Sequence, residues 1–142
     1  VNVSALKNDG SDAERAFKGA LKGAGKKAYL HELTDTRKIK GAGFRKGFSM
    51  AQPADNLCVI DGEMCLVEIK STIDPERFKK AAIRKDQWAN AVMVTKAGGA
   101  YYFCVRFEPI KQWYKIPASF LIKSDQASWT WAELDTYRWE LP

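Results

Sequence analysis

The sequence predicts an α/β domain with a mixed central sheet flanked by helices, and three observations carry that prediction. Segments of helical and strand period alternate along the chain. Asp61-Gly62 separates two strand-like segments as a hairpin turn would, because a type I′ turn needs positive φ at both central positions. Residues 100–107 form a continuous apolar run of the kind that a sheet covered on both faces buries. The 142 residues fit one domain, and 46% hydrophobic with 28% charged side chains is ordinary globular usage, which excludes global disorder.

Ser11-Asp12-Ala13-Glu14 reads as a capping box opening a first helix, expected over 12–26. Ala13, Ala16, Phe17, Ala20, Leu21 and Ala24 recur there at helical spacing, with Arg15, Lys18, Lys22 and Lys26 on the opposite face. A strand is expected over 28–33. Residues 34–52 hold Gly41, Gly43 and Gly47, with Phe44 and Phe48 among basic side chains, and show no period. They are expected to be a long basic loop, mobile until it meets a ligand. Strands at 55–60 and 64–70 form the hairpin. Asp74-Pro75 reads as an N-cap with proline at the first helical position, starting a helical region that runs to about residue 96 and is broken near Ile83. Gly98-Gly99 ends it before the strand at 100–107. A short strand near 113–116, a helical turn after Pro117 and a last helix near 130–138 complete the chain. Residues 108–142 read as an extension of the same domain, and their tryptophans as core.

Composition excludes several chemistries. His31 is the one histidine, so a site needing two imidazoles within one chain is impossible. Cys58, Cys65 and Cys104 have neither an even count nor Cys-x-x-Cys spacing, which fits buried reduced thiols rather than a zinc ribbon or disulfide framework. No apolar run is long enough for a membrane span and no secretory pattern opens the sequence, so a cytoplasmic protein is expected, or one in the host cytoplasm if viral. The formal net charge is +6, and residues 1–50 carry all of the excess, eleven basic side chains against five acidic ones. A polyanion such as nucleic acid would be drawn to that third of the chain, although a solvated basic face accounts for the charge equally well.

The hairpin concentrates the chemistry. A two-residue turn at Asp61-Gly62 places Asp55 opposite Glu68, with Lys70 on the same face two residues further along. Directly opposed carboxylates destabilise a sheet, so folding alone does not ask for them. A divalent, oxygen-preferring cation between them would reverse the sign of the interaction. Lys70 would then orient water or offset charge developing on a phosphate. A surface salt-bridge cluster is the plain alternative.

Pro53-Ala54-Asp55 followed by Glu68-Ile69-Lys70 on a hairpin resembles the PD-(D/E)xK nuclease superfamily, although Ala54 separates the proline from the aspartate. The wider context is similar to Holliday junction resolvases of archaea, their viruses and phages. It rests on Ala13-Glu14-Arg15, the basic loop, Glu68-Ile69-Lys70-Ser71-Thr72, Gln87 and Gly98-Gly99-Ala100, and covers about residues 10–107. The resemblance implies a restriction-endonuclease-like fold and a metal-dependent endonuclease that makes paired nicks in four-way junctions, leaving 5′-phosphates. Mg²⁺, with Mn²⁺ able to substitute, would be held by Asp55, Glu68, the backbone carbonyl of Ile69 and Glu14, with Lys70 also catalytic. No small-molecule cofactor is implied. Arg15, Lys18, Arg37, Lys38, Lys40, Arg45 and Lys46 are the expected DNA contacts, and by analogy Gln87 touches either DNA or the site itself. Paired cuts in a two-fold symmetric junction imply a homodimer, and the aromatic residues after 100 offer apolar surface for it. Two alternatives stay open: a non-catalytic nucleic-acid-binding module, and a nuclease of the same superfamily acting on duplex or flap DNA.

Overall fold

A computed structural model describes residues 10–33 and 52–142. The basic loop, except Gln52 at its end, lies outside the described residues, and so do Arg37, Lys38, Lys40, Arg45 and Lys46. The order is α1 (Gly10–Gly23), β1 (Ala28–Glu32), β2 (Asn56–Ile60), β3 (Glu63–Thr72), β4 (Arg77–Lys79), α2 (Lys85–Lys96), β5 (Tyr101–Phe107), β6 (Gln112–Pro117), α3 (Ala118–Ser124), β7 (Ser128–Thr130) and β8 (Arg138–Trp139). Six strands form one mixed sheet in the order β1-β2-β3-β5-β6-β8; β4 and β7 pair separately. Among the described strands of this sheet, only β3 and β5 run parallel. No described helix is long and apolar enough to cross a membrane.

The expected α/β architecture and hairpin are present. Asp61 and Gly62 take φ of 52° and 79°, as a type I′ turn demands. The register runs from Ile60↔Glu63 to Asn56↔Val67, as the sequence predicts. Because side chains alternate, Cys58, Ile60, Cys65, Val67 and Ile69 face α1, and Ala13, Phe17 and Leu21 close over them. The opposite face of β5 and β6 carries Tyr101, Phe103, Val105, Tyr114 and Ile116 under α3, Trp129 and Leu134. Gly98 (φ 91°) and Gly99, whose N–H donates to the Val94 carbonyl at 2.9 Å, turn α2 into β5. The three cysteines are buried and free.

Several expectations need correction. The first helix is already formed at Gly10, so Ser11 lies inside its first turn and not ahead of it as a cap. Asp74 does accept the amides of Glu76 and Arg77, at 2.9 and 3.2 Å, but the chain then enters β4 and a 3₁₀ turn; the helix starts only at Lys85. An Asx turn and a helix N-cap use the same first hydrogen bonds, which is why the motif misleads. The helix expected near 130–138 is β7, a 3₁₀ turn and β8, set by pairing with β4 and β6. The aromatic side chains expected to be spare are largely packed inside. Trp113 and Trp129 are buried, Trp131 and Trp139 pack against the core, and Trp129 donates its indole N–H to Ser124 Oγ at 2.7 Å. Among the described residues, the exposed large apolar side chains are instead Tyr29, Met64, Ile73, Met93 and Ile110.

One charged group within the α1-side layer was not anticipated. Arg106 on β5 is 4% exposed and donates to Glu108 at 2.7 and 3.0 Å and to Asp12 of α1 at 2.7 Å. The triad pins the N-terminal turn of α1 to the C-terminal end of β5. Leaving Glu108 buried without its partner should be costly, whereas removing both charges should not. Arg106→Met is therefore expected to lower stability by about 3 kcal/mol in urea unfolding. The double variant Arg106→Met/Glu108→Leu should recover most of that loss. An Arg106→Met variant as stable as the parent would refute the tether.

Candidate active site

Strand pairing between β2 and β3 stops one residue short of Asp55, and that ending creates the site. Asp55 is held by its carbonyl, which accepts the Leu33 amide at 2.9 Å. Its carboxylate, free of ladder pairing, turns onto β3 and accepts the Ile69 N–H at 3.1 Å through Oδ2. The Leu66 amide and Thr72 carbonyl bond toward the β5 side. Odd-numbered residues of β3 therefore direct N–H and C=O toward β2, and the Ile69 carbonyl opens on the same edge as Asp55.

Glu68 and Lys70 project from the other face of β3, toward the first turn of α2. Gln87, 6% exposed, joins them there. Its Nε2 donates to Glu68 Oε2 at 3.0 Å, and its Oε1 accepts from Lys70 Nζ at 2.7 Å and from the Arg84 amide at 3.0 Å. An ammonium can only donate, so Lys70 fixes which way the amide faces. Gln87 thus spends its whole side chain inside the site. The sequence left it open whether Gln87 meets the site or DNA; its amide links acid, lysine and helix. The pattern Arg84-x-x-Gln87 lacks the usual Ser or Thr of a capping box, so the sequence did not mark it as the start of the helix.

The two acids are electrostatically opposed. Burial, then the charge of Asp55 and a hydrogen bond with it, pushes the Glu68 carboxyl up to about 8 from the ordinary 4.5. Burial pulls Lys70 below the ordinary lysine range, against the charges of Glu68 and Asp55. Near neutral pH the pair therefore holds a proton that a cation could replace. Hard oxygens from Asp55, Glu68 and the Ile69 carbonyl suit Mg²⁺ or Mn²⁺ in donor type.

The remaining expected residues are placed as follows. Glu14 does not join Asp55 and Glu68: among the described residues no three His, Cys, Asp or Glu side chains gather where a metal could sit. It lies 3.7 Å from Lys18 Nζ, which bridges to Glu32 at 2.7 Å. Those partners, with Asp55 more weakly, hold Lys18 above the ordinary lysine range against its desolvation. Lys18, expected as a phosphate contact, is thus ion-paired with acids beside the site. Arg15 is exposed, 3.7 Å from Asp12. His31 is exposed on β1 opposite Leu57, outside the group. Asp61 and Glu63 sit exposed at the turn, at the far end of the hairpin.

The raised Glu68 carboxyl has a defined sign in stability. Between about pH 4.5 and 8 the folded chain keeps a proton that the unfolded chain releases, so metal-free stability falls as pH rises through that window and levels off above it. Glu68→Gln removes the loss. In chelator it should match the parent near pH 4.5 and exceed it at pH 8.5 by about 1–3 kcal/mol in urea unfolding. A parent and variant that keep the same difference at both pH values would contradict the pairing of the acids.

No protein-family model matches the chain, and no curated protein matches it in sequence. Its structure is similar to that of Archaeoglobus fulgidus Hjc, a Holliday junction resolvase from an archaeal hyperthermophile. The TM-score is 0.56 at 15% identity, covering 89% of this chain and 93% of that one. The match extends beyond the stretch of about 10–107 on which the sequence motifs rest. The chain has the mixed α/β nuclease fold of that resolvase.

Proposed function

We propose that this chain is a metal-dependent, structure-specific DNA endonuclease that hydrolyses phosphodiesters in branched DNA, four-way junctions above all. The observation that carries the reading is the convergence of Asp55, Glu68 and Lys70 at the open end of the β2–β3 hairpin. The fold shared with a Holliday junction resolvase supports the substrate class. The basic excess of residues 1–50 supports a nucleic-acid partner.

Asp55, Glu68 and the Ile69 carbonyl would hold Mg²⁺, or Mn²⁺ in its place. Bound there, the ion would supply charge neutralisation at the phosphate and an acidified water for in-line attack. The chain's own part follows from the hydrogen bonds. The Ile69 amide fixes one oxygen of Asp55. Gln87 holds Glu68 and Lys70 apart in fixed positions, so that neither has to reorganise when a phosphate arrives. The Lys70 ammonium offsets charge gathering on the phosphoryl oxygens and orients the attacking water. Glu14 acts one step removed, by holding Lys18 within electrostatic reach of Asp55. A homodimer would place two such sites on a junction and give paired nicks.

Asp55→Asn, Glu68→Gln and Lys70→Ala should each reduce cleavage of a labelled four-way junction by about a thousandfold or more in Mg²⁺. Junction binding in chelator should stay within about threefold of the parent, because affinity rests on the basic surface. Any one of these variants cutting at the parental rate would overturn the site. A parent that binds junctions and never cuts them would leave the non-catalytic binding module.

A further inference from the structure

Residues 77–85 carry five basic side chains and no acid, a concentration hidden by the even charge balance of residues 51–100 as a whole. The fold presents part of this run as a cleft at the first turn of α2. It is lined by the apolar side chains of Ala81, Ile83 and Trp88 and by the cationic Lys80, Arg84 and Lys85; its volume is about 670 Å³. Lys80 Nζ lies 4.4 Å from the centroid of the Trp88 ring. Arg84 is drawn toward Asp86, at 3.2 Å, but no acid pairs with Lys80 or Lys85 among the described residues. The cleft adjoins the carboxylate group through Gln87, which sits between Arg84 and Trp88 in sequence and bonds both the Arg84 amide and Glu68.

We propose that this cleft binds an unpaired or splayed nucleotide of the DNA substrate, with its base displacing the Lys80 ammonium from the Trp88 ring and its phosphates held by Lys80 and Lys85. An aromatic face within a ring of cations suits a nucleotide, which offers a π-surface and a negative charge within one residue. Paired duplex offers only the charge, because its bases are stacked on each other. The proposal rests on the reading of the chain as a DNA nuclease, and it gives a physical reason for preferring DNA with unpaired or splayed nucleotides over continuous duplex. None of the basic residues of the first third is needed for it.

The test compares binding of the full-length protein, in chelator, to a forked DNA with unpaired arms and to a blunt duplex of the same length. Trp88→Leu should weaken fork binding by about tenfold, the loss of roughly one stacked base, and leave duplex binding within about twofold. Trp88→Phe should keep most of the fork affinity. Lys80→Gln/Lys85→Gln should weaken both DNAs and lower the slope of log affinity against log salt by about 1–2. Unchanged fork binding in Trp88→Leu, or an equal loss on both DNAs, overturns the proposal. Should Trp88→Leu lose thermal stability, the lysine pair decides: an unchanged salt slope overturns it. Because these assays need no cleavage, a parent that binds but does not cut refutes the nuclease reading alone. A parent that cuts while Trp88→Leu binds forks normally refutes the cleft alone.

Discussion

Burying Glu68, 4% exposed, beside Asp55 works against the metal-free fold near neutral pH, and the surrounding chain is organised to hold it there regardless. β3 is central in the sheet, and at Glu68, just past the end of the β2 ladder, it stays paired with β5 through Phe103, which fixes the backbone beneath the carboxyl. β2 ends where Asp55 must turn its side chain inward. α2 begins where Gln87 can reach both Glu68 and Lys70. Three separate elements therefore meet a single electrostatic demand, and a cation of hard-oxygen preference would relieve it.

The α1-side layer bears on the same corner from the other face. Phe17 and Leu21 seal the sheet, while Arg106 binds Asp12 and so sets where α1 lies along β5. That placement brings Glu14 and Lys18 to the β1 edge, where Lys18 meets Glu32. A network of this kind fixes geometry more than it adds stability, since exposed ion pairs contribute little. Its value lies in keeping a lysine beside Asp55.

The hairpin was fully legible because Asp-Gly dictates its turn and a turn of two residues dictates its register; every observed pair follows from that one dipeptide. The β5 strand and the glycine pair before it were legible for similarly local reasons. Asp74 shows the limit: its hydrogen bonds were foreseen, yet the chain beyond it forms β4, because a distant strand, β7, was available to pair with it. The same non-local pairing replaced the expected last helix with β7 and β8. Within the site, the acids and the lysine could be read from spacing. Gln87 as their bridge could not, since it depends on where α2 docks against β3. Glu14 was expected as a ligand, directly or through water, only from the family resemblance, and its side chain lies beside Lys18.

The central claim is that Asp55 and Glu68 form one cation-binding unit, and thermal unfolding with and without metal tests it most directly. Millimolar Mn²⁺ or Mg²⁺ should raise the parental Tm by several degrees at pH 7.5, because a ligand bound only by the folded state stabilises it. Asp55→Asn should show little or none of that rise. A parental Tm that metal leaves unmoved, or an equal rise in Asp55→Asn, would contradict the account.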